Sequence, residues 1–364
     1  MSGKIRPNKG SARTIKHNIA CKFVMSYKRQ MARALRVEYA GAVYHVMCRG
    51  NNGQDIFLSN SDRECFLQTL EESCLKTGWR VHAYVLMDNH YHLLLETPEP
   101  NLVAGMKWLQ GTYTQRFNKR NGRCGHLFQG RYKSLIIDPE ANGYFSVVGS
   151  YIHLNPVRAA LCSDPCNYLW CSCRYYADEA LQPPDWLALD RIRGALGLSG
   201  SNRELSSQYQ NYIRARAVEE LNPEKAEELN QSRGPLKRGW IMGNDAFRNR
   251  VLDLMEQQNG SSGDNLRGEQ RRMHGEHQAE NYIKKALSLL NMEECELIEM
   301  KNSCLEKQAI SWLLKNHTAV TAVWIARRLG MKNRVNVSRA AGKFSDLQSP
   351  ESIKMRNSML LCTG

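Results

Sequence analysis

Apolar and polar positions change period several times along the first half of the chain, and each change marks an element. The stretch from Val37 to Cys48 ends in an alternating, β-prone run, which Arg49-Gly50-Asn51-Asn52-Gly53 interrupts. This predicts a strand followed by a glycine loop. Phe66, Leu67, Leu70, Cys74 and Leu75 then recur at helical spacing behind Ser61-Asp62-Arg63-Glu64, which has capping-box spacing, and Gly78 is the stop. Residues 80–87 and 90–97 both read as strands, and Asp88-Asn89 between them is turn chemistry, so the pair predicts a hairpin. Pro98-Glu99-Pro100-Asn101 ends the second strand and caps a helix over 102–121, with Leu102, Met106, Leu109, Tyr113 and Phe117 on its apolar face. A further strand is expected over 128–137 and a third helix over 139–154, ended or kinked by Pro156. The order β, α, β-hairpin, α, β, α predicts an α+β fold, an antiparallel sheet with helices on its faces.

The second half is read more coarsely. Helical periodicity runs from about 186 to 260, with Gly239-Trp240-Ile241-Met242-Gly243 between helices. Residues 259–279 are rich in Gly, Ser and charge, the composition of a flexible linker. A helix over 305–315 precedes Val320–Met331, which has the pattern of a first helix and glycine turn of a helix-turn-helix. Residues 333–343 would be its recognition helix, presenting Arg334, Asn336, Ser338 and Arg339. The expected organisation is a basic, disordered extension (1–30), an α+β domain (31–178), a helical region (179–258), a linker and helix (259–299), a helix-turn-helix domain (300–345) and a tail (346–364).

Charge sharpens this picture. The net charge is +14. Residues 1–30 carry eight Lys/Arg and no acid, and residues 301–345 carry nine Lys/Arg and one Glu, so the remainder is near neutral. Two basic ends point to a polyanion, nucleic acid first. No apolar run approaches the ~20 residues that span a bilayer. Twelve cysteines scattered through 364 residues, behind a basic start without an apolar segment, suit reduced thiols in the cytoplasm, close to the nucleoid. Cys162, Cys166, Cys171 and Cys173 lie close enough in sequence to pose a zinc site as a question.

Candidate chemistry gathers at Met87-Asp88-Asn89-His90-Tyr91-His92-Leu93-Leu94. On a strand His90 and His92 share a face about 7 Å apart, at a rise of ~3.3 Å per residue, and two imidazoles so placed can share a divalent ion. Tyr91, Leu93 and Leu95 point the other way. Arg116, Lys119, Arg120, Arg123, Arg131 and Lys133 occur without an acid between Tyr113 and Ser134, interleaved with Tyr113, Phe117, Phe128 and Tyr132. Such a mixture either grips a single strand, through phosphates and stacked bases, or is a solvated helix end followed by a core strand. Tyr151 and Asn155 stand one helical turn apart.

Four segments together resemble the IS200-like single-tyrosine transposases of the HUH class, in the branch of REP-associated tyrosine transposases. They are Tyr44-His45-Val46 with Arg49-Gly50-Asn51-Asn52, Met87–Leu94, Phe128-Gln129-Gly130-Arg131-Tyr132-Lys133-Ser134, and Tyr151-Ile152-His153-Leu154-Asn155-Pro156-Val157-Arg158-Ala159. The resemblance implies that His90, His92 and Asn155 ligate a divalent cation, Mg²⁺ or Mn²⁺, and that Tyr151 is the nucleophile. It implies nicking and rejoining of single-stranded or hairpin DNA, such as repeated palindromic elements, through a 5′-phosphotyrosine. Arg49 and the basic residues above would hold that DNA. Residues 300–345 look like the C-terminal module of the replication initiator DnaA, which longer members of the family also carry. Two departures stand out. Asp88 takes a place where proline is common, and Trp170-Cys171-Ser172-Cys173-Arg174-Tyr175 has cysteines where the family's similar segment has serines. Tyr144, on a similar helical face to Tyr151, lacks an Asn four residues on. The rival readings are a DNA-binding regulator with an inactive transposase domain and a metal-dependent phosphodiesterase that activates water.

Overall fold

The computed structural model describes residues 36–234, 236, 239–259, 266 and 268–363. The basic extension therefore lies outside the described residues. In chain order the elements that build the site are β1 (Ala42–Arg49), α1 (Asn60–Thr77), β2 (Arg80–Leu86), β3 (His90–Thr97), α2 (Leu102–Asn121), β4 (Lys133–Ile137), α3 (Asn142–His153) and the one-turn α4 (Asn155–Arg158). The short helices α5 (Cys173–Ala177) and α6 (Asp190–Ala195), then α7 (Asn202–Leu221) and α8 (Pro223–Ser232), lead to β5 (Ile241–Met242) and α9 (Asp245–Asn259). Next come α10 (Gly268–Leu290), α11 (Glu294–Glu299), α12 (Leu305–His317), α13 (Ala322–Arg328), α14 (Arg334–Asp346) and α15 (Pro350–Leu360).

The fold is α+β, as expected, around a five-stranded sheet of order β2-β3-β1-β4-β5. Four strands are antiparallel neighbours, but β5 runs parallel to β4. The glycine-bounded Trp240–Met242 stretch is thus an edge strand rather than a plain connection between helices. Alternation sorts the side chains. Tyr91, Leu93 and Leu95 face α1 and α2, where Tyr91 packs on Phe66 with ring centroids 4.8 Å apart. The histidine face is covered by α3.

Local chemistry explains the boundaries. Ser59, not Ser61, caps α1, its hydroxyl accepting from the Asp62 amide. Gly78 ends that helix at φ 73, a left-handed conformation that costs glycine little. Asn101 stands at the head of α2 without capping it. Its carbonyl oxygen accepts from Trp79 Nε1 at 2.7 Å, and its amide donates to the Thr77 carbonyl at 2.8 Å. The aromatics Tyr113, Phe117, Phe128 and Tyr132 are all buried. They are core packing, so stacking on bases is corrected for these four; the apolar demand of the α1–α2 layer outweighs it.

A second core joins α10 with α11, α12, α13, α14 and α15. It reaches from Ala279 to Cys362, wider at both ends than the 300–345 read from the helix-turn-helix pattern. The expected linker is helical from Gly268 on, because Ala279, Tyr282 and Ile283 have this core to bury against. Lys307, fully buried, donates to the carbonyls of Ile298 and Met300 at the end of α11 at 3.0 and 2.8 Å. No helix among the described residues is long and apolar enough to cross a membrane.

Gly105 lets α2 pass close against Trp79, in the connection from α1 to β2. A Cβ there would lie 2.1 Å from Cζ2 of Trp79, which Asn101 holds in place. Gly105→Ala is expected to lower stability by about 1–3 kcal/mol through overpacking. Urea unfolding of the variant checks this, and an unchanged midpoint would contradict the packing described.

Candidate active site

The strand register builds the site. Arg49 of β1 lies opposite His90 of β3, and Met47 lies opposite His92. On the other edge of β1, Met47 is opposite Lys133 of β4. Directly paired residues share a face, so Arg49, His90, His92 and Lys133 are brought together from segments far apart in sequence. With Asn89 and Arg131 they line a cleft of about 480 Å³.

Each histidine is held by a neighbour. Asn89 Nδ2 donates to the Gly53 carbonyl at 3.1 Å, which leaves its Oδ1 to face His90 Nδ1 at 2.8 Å. An amide oxygen only accepts, so His90 carries its proton on Nδ1 and keeps a lone pair on Nε2. His92 Nδ1 lies 2.8 Å from Nε2 of His45, with the two rings stacked at 5.1 Å. If Nδ1 of His92 donates, its Nε2 is free as a ligand and the His45 proton sits on Nδ1, a buried atom without a hydrogen-bond partner. Burial pushes His45 down to about 3 and His92 well below the ordinary range. Burial also lowers His90, against a hydrogen bond to Asn155 that raises it. Neutral imidazoles with outward lone pairs, next to an amide oxygen, fit a divalent cation.

Tyr151 comes from α3, its ring 5.8 Å from His92 and 5.7 Å from His45. Arg158 lies over that ring, 4.3 Å from its centroid, and donates to the Tyr151 carbonyl. Arg158 is anchored in turn by Glu220 of α7 at 3.4 Å, and Glu220 also pairs with Arg233. Asn155 does not share the helix of Tyr151, contrary to what the four-residue spacing predicts. α3 stops at His153, and Asn155 opens α4 with Pro156 behind it. Pro156 has no amide hydrogen to continue the ladder. The chain bends there, yet Asn155 still reaches His90.

The other basic residues divide. Arg116 makes a two-pronged pair with Glu72, both contacts 2.9 Å, and Arg120 lies 3.4 Å from the buried Asp62. Both belong to the α1–α2 layer, away from the histidine face. Arg123 packs over Phe117, and Lys119 is exposed. On α14, Val337, Ala340, Ala341 and Phe344 point into the second core, while Arg334, Ser338 and Arg339 are exposed and Asn336 is half-buried. Asp88, where proline is common, pairs with Arg63 of α1 and so ties down the turn before His90.

The four clustered cysteines do not converge as a zinc site. Among the described residues no three of them gather as ligands; Cys166 and Cys173 approach, with sulfurs 3.9 Å apart. Cys171 and Cys173 are buried core thiols flanking Ser172. That serine bridges His153 Nε2, at 2.7 Å, to the Tyr84 amide. Sequence reasoning missed His45, Asn89 and Arg158 as parts of the site. All three sit inside the segments that carried the resemblance, one of them immediately before the H-x-H pair.

Residues 38–155 match the family described as Transposase IS200 like. The match covers the stretch that runs from β1 through Tyr151 to Asn155, the stretch that carries the resemblance to IS200-like transposases. No curated protein matches the chain. One similar solved structure, described as a REP-associated tyrosine transposase bound to a REP hairpin, is 16% identical. It covers 43% of this chain and 92% of its own, with a TM-score of 0.36.

The buried histidines make stability depend on pH. His45 and His153 titrate near 6.5 when exposed but only at about 3 when folded, so the unfolded chain binds more protons between these values. Stability is therefore present above about pH 6.5 and lost as pH falls. Denaturant midpoints are expected to drop between pH 7 and pH 5, where most carboxylates stay ionised, and to drop less steeply in His153→Gln. A flat profile would contradict neutral burial.

Proposed function

We propose that the protein is a metal-dependent DNA transesterase that cuts and rejoins single-stranded or hairpin DNA through Tyr151. The observation that carries this reading is the meeting of Tyr151 with the His45–His92 pair beside a cleft lined by Arg49, Arg131 and Lys133. His90, His92 and Asn155 would hold the cation, Mg²⁺ or Mn²⁺. When bound, it supplies Lewis-acid polarisation of the scissile phosphate and stabilises charge on it. The basic residues of the cleft position the phosphate backbone.

The chemistry of the chain balances without an energy source. The Tyr151 oxygen forms a bond to phosphorus as the bond to the 3′ oxygen breaks. The phenol proton is lost to solvent, and the leaving oxygen takes one up to become a free 3′-OH. A phenol's ordinary pKa is about 10, so its anion needs a stabilising partner. The Arg158 guanidinium over the ring is such a partner, and the Glu220 pair keeps it in place. Rejoining reverses the step, because the phosphotyrosine conserves the phosphodiester. Recognition of duplex or hairpin flanks falls to α14, through Arg334, Asn336, Ser338 and Arg339. Repeated palindromic elements are the substrate class that the resemblance of the four segments implies.

Labelled hairpin oligonucleotides incubated with Mn²⁺ and run on a denaturing gel test the reading. The label is expected to shift to protein mass, and to stay unshifted in Tyr151→Phe or with EDTA. Cutting that survives Tyr151→Phe without a shift would establish the phosphodiesterase instead. Binding without cutting, on a panel holding the true recognition sequence, would establish the regulator.

Asn89 provides a second test. Asn89→Ala frees the tautomer of His90 and is expected to weaken Mn²⁺ binding by roughly 10–100-fold, as loss of an outer partner of a ligating histidine does. Titration followed by Mn²⁺ electron paramagnetic resonance measures this, and unchanged affinity would remove Asn89 from the site.

A further inference from the structure

A second constellation of ligand-type residues lies far from the cleft, where α9 meets α10. Asp253 and Glu256 stand three residues apart on α9, and His274 and His277 three apart on α10. At that spacing each pair shares one helical face. The ligand atoms of Asp253, Glu256 and His277 lie within 4.8 Å of one another, the one such group among the described residues, and His274 lies just outside it, against Glu256.

An ordinary ion pair explains half of the arrangement. His277 Nε2 meets Asp253 Oδ1 at 2.8 Å. The other half is unexplained. His274 is 3% exposed and its Nε2 has no hydrogen-bond partner. It faces Glu256 Oε1, also buried and unpartnered, across 4.0 Å. That gap is too long for a hydrogen bond, and two buried polar atoms left unmet are costly.

We propose that Asp253, Glu256, His274 and His277 bind a divalent transition metal of the zinc class, which clamps α9 to α10. Two imidazoles and two carboxylates suit such an ion. With ligand bonds of about 2.0–2.2 Å, tetrahedral donors stand about 3.4 Å apart. The 2.8 Å contact would open and the 4.0 Å gap would close towards the same value. Asp253 is exposed, and His277 lines a cleft of about 490 Å³, so the ion has a way in.

The position gives the clamp a purpose. Val251, Leu252 and Met255 of α9 belong to the core built on the sheet. Ala279, Tyr282 and Ile283 of α10 belong to the core of the C-terminal helices. The ion would fasten the two cores where the chain passes from one to the other. The proposal does not depend on the reading of Tyr151.

The test uses the full-length, untagged protein carrying His90→Ala and His92→Ala, so that the cleft takes no metal. Stripped protein is titrated with Co²⁺ and then Zn²⁺. One equivalent of Co²⁺ is expected, with the visible ligand-field bands of a tetrahedral site and no thiolate charge-transfer band, displaced by Zn²⁺ and accompanied by a rise in unfolding temperature. His274→Ala should weaken binding more than about tenfold and abolish the thermal shift. Asp253→Asn, nearly isosteric and at the exposed edge, should weaken binding with unchanged circular dichroism. A thiolate band, no stoichiometric binding, or equal affinity in a folded Asp253→Asn variant and its parent would each overturn the proposal.

Discussion

The antiparallel register of β1 against β3 is the constraint on which the site rests. Arg49 opposite His90 and Met47 opposite His92 place His45, Arg49 and both histidines of the pair on one face. A slip of one residue would turn β1 over and set Tyr44, Val46 and Cys48 against the histidines instead. The register is protected by what the opposite face buries. Tyr44, Val46, Tyr91, Leu93 and Leu95 are all buried, and exposing that set would cost far more than any single contact in the cleft. Apolar packing under the sheet thus fixes polar geometry above it.

That geometry is maintained against the ordinary tendency of imidazole to stay solvated. His45, His92 and His153 are all buried and all held below their ordinary titration range. Each buried nitrogen therefore has to be matched to a donor or acceptor. Asn89 does this for His90, His45 for His92, and Ser172 with Tyr209 for His153. Among these four histidines His45 Nδ1 stays unmatched, at the end of the chain of contacts beside Tyr151.

Much of this was legible in the sequence, and the omissions share a cause. Period and punctuation located β2, β3 and α2 almost to the residue, because each is closed by turn chemistry, although β2 and β3 are buried on both faces. The H-x-H pair and Tyr151 were visible because their residue types are rare in such places. His45 and Asn89 stand inside the matching segments without a role that local sequence assigns, since their partners become neighbours only through sheet pairing or a turn. Ser59 and Ser61 compete for the cap of α1 on equal local terms. The β5 edge strand is too short for alternation to register, and its parallel pairing with β4 is a contact more than a hundred residues apart. The basic aromatic stretch kept two readings open because burial, which separates core rings from stacking platforms, is not a local property. Residues 268–279 read as linker because α10 is polar on most of its surface, and only a partner core makes it helix.

Arg158 shows why the helical region belongs to the chemistry although it carries none. A buried guanidinium is costly unless it is paired and its hydrogen bonds are made. Its partner Glu220 comes from α7 and is shared with Arg233, beyond α8. The charge over the Tyr151 ring is thus secured by residues some seventy positions downstream, outside the stretch that matches the transposase family. Removing α7 would leave Arg158 buried without a counter-charge, and the relief available to it is to turn towards solvent and away from the phenol. The region that carries no candidate catalytic residue is therefore a requirement for the surroundings of Tyr151, and the unit that holds this geometry is larger than the unit of family resemblance.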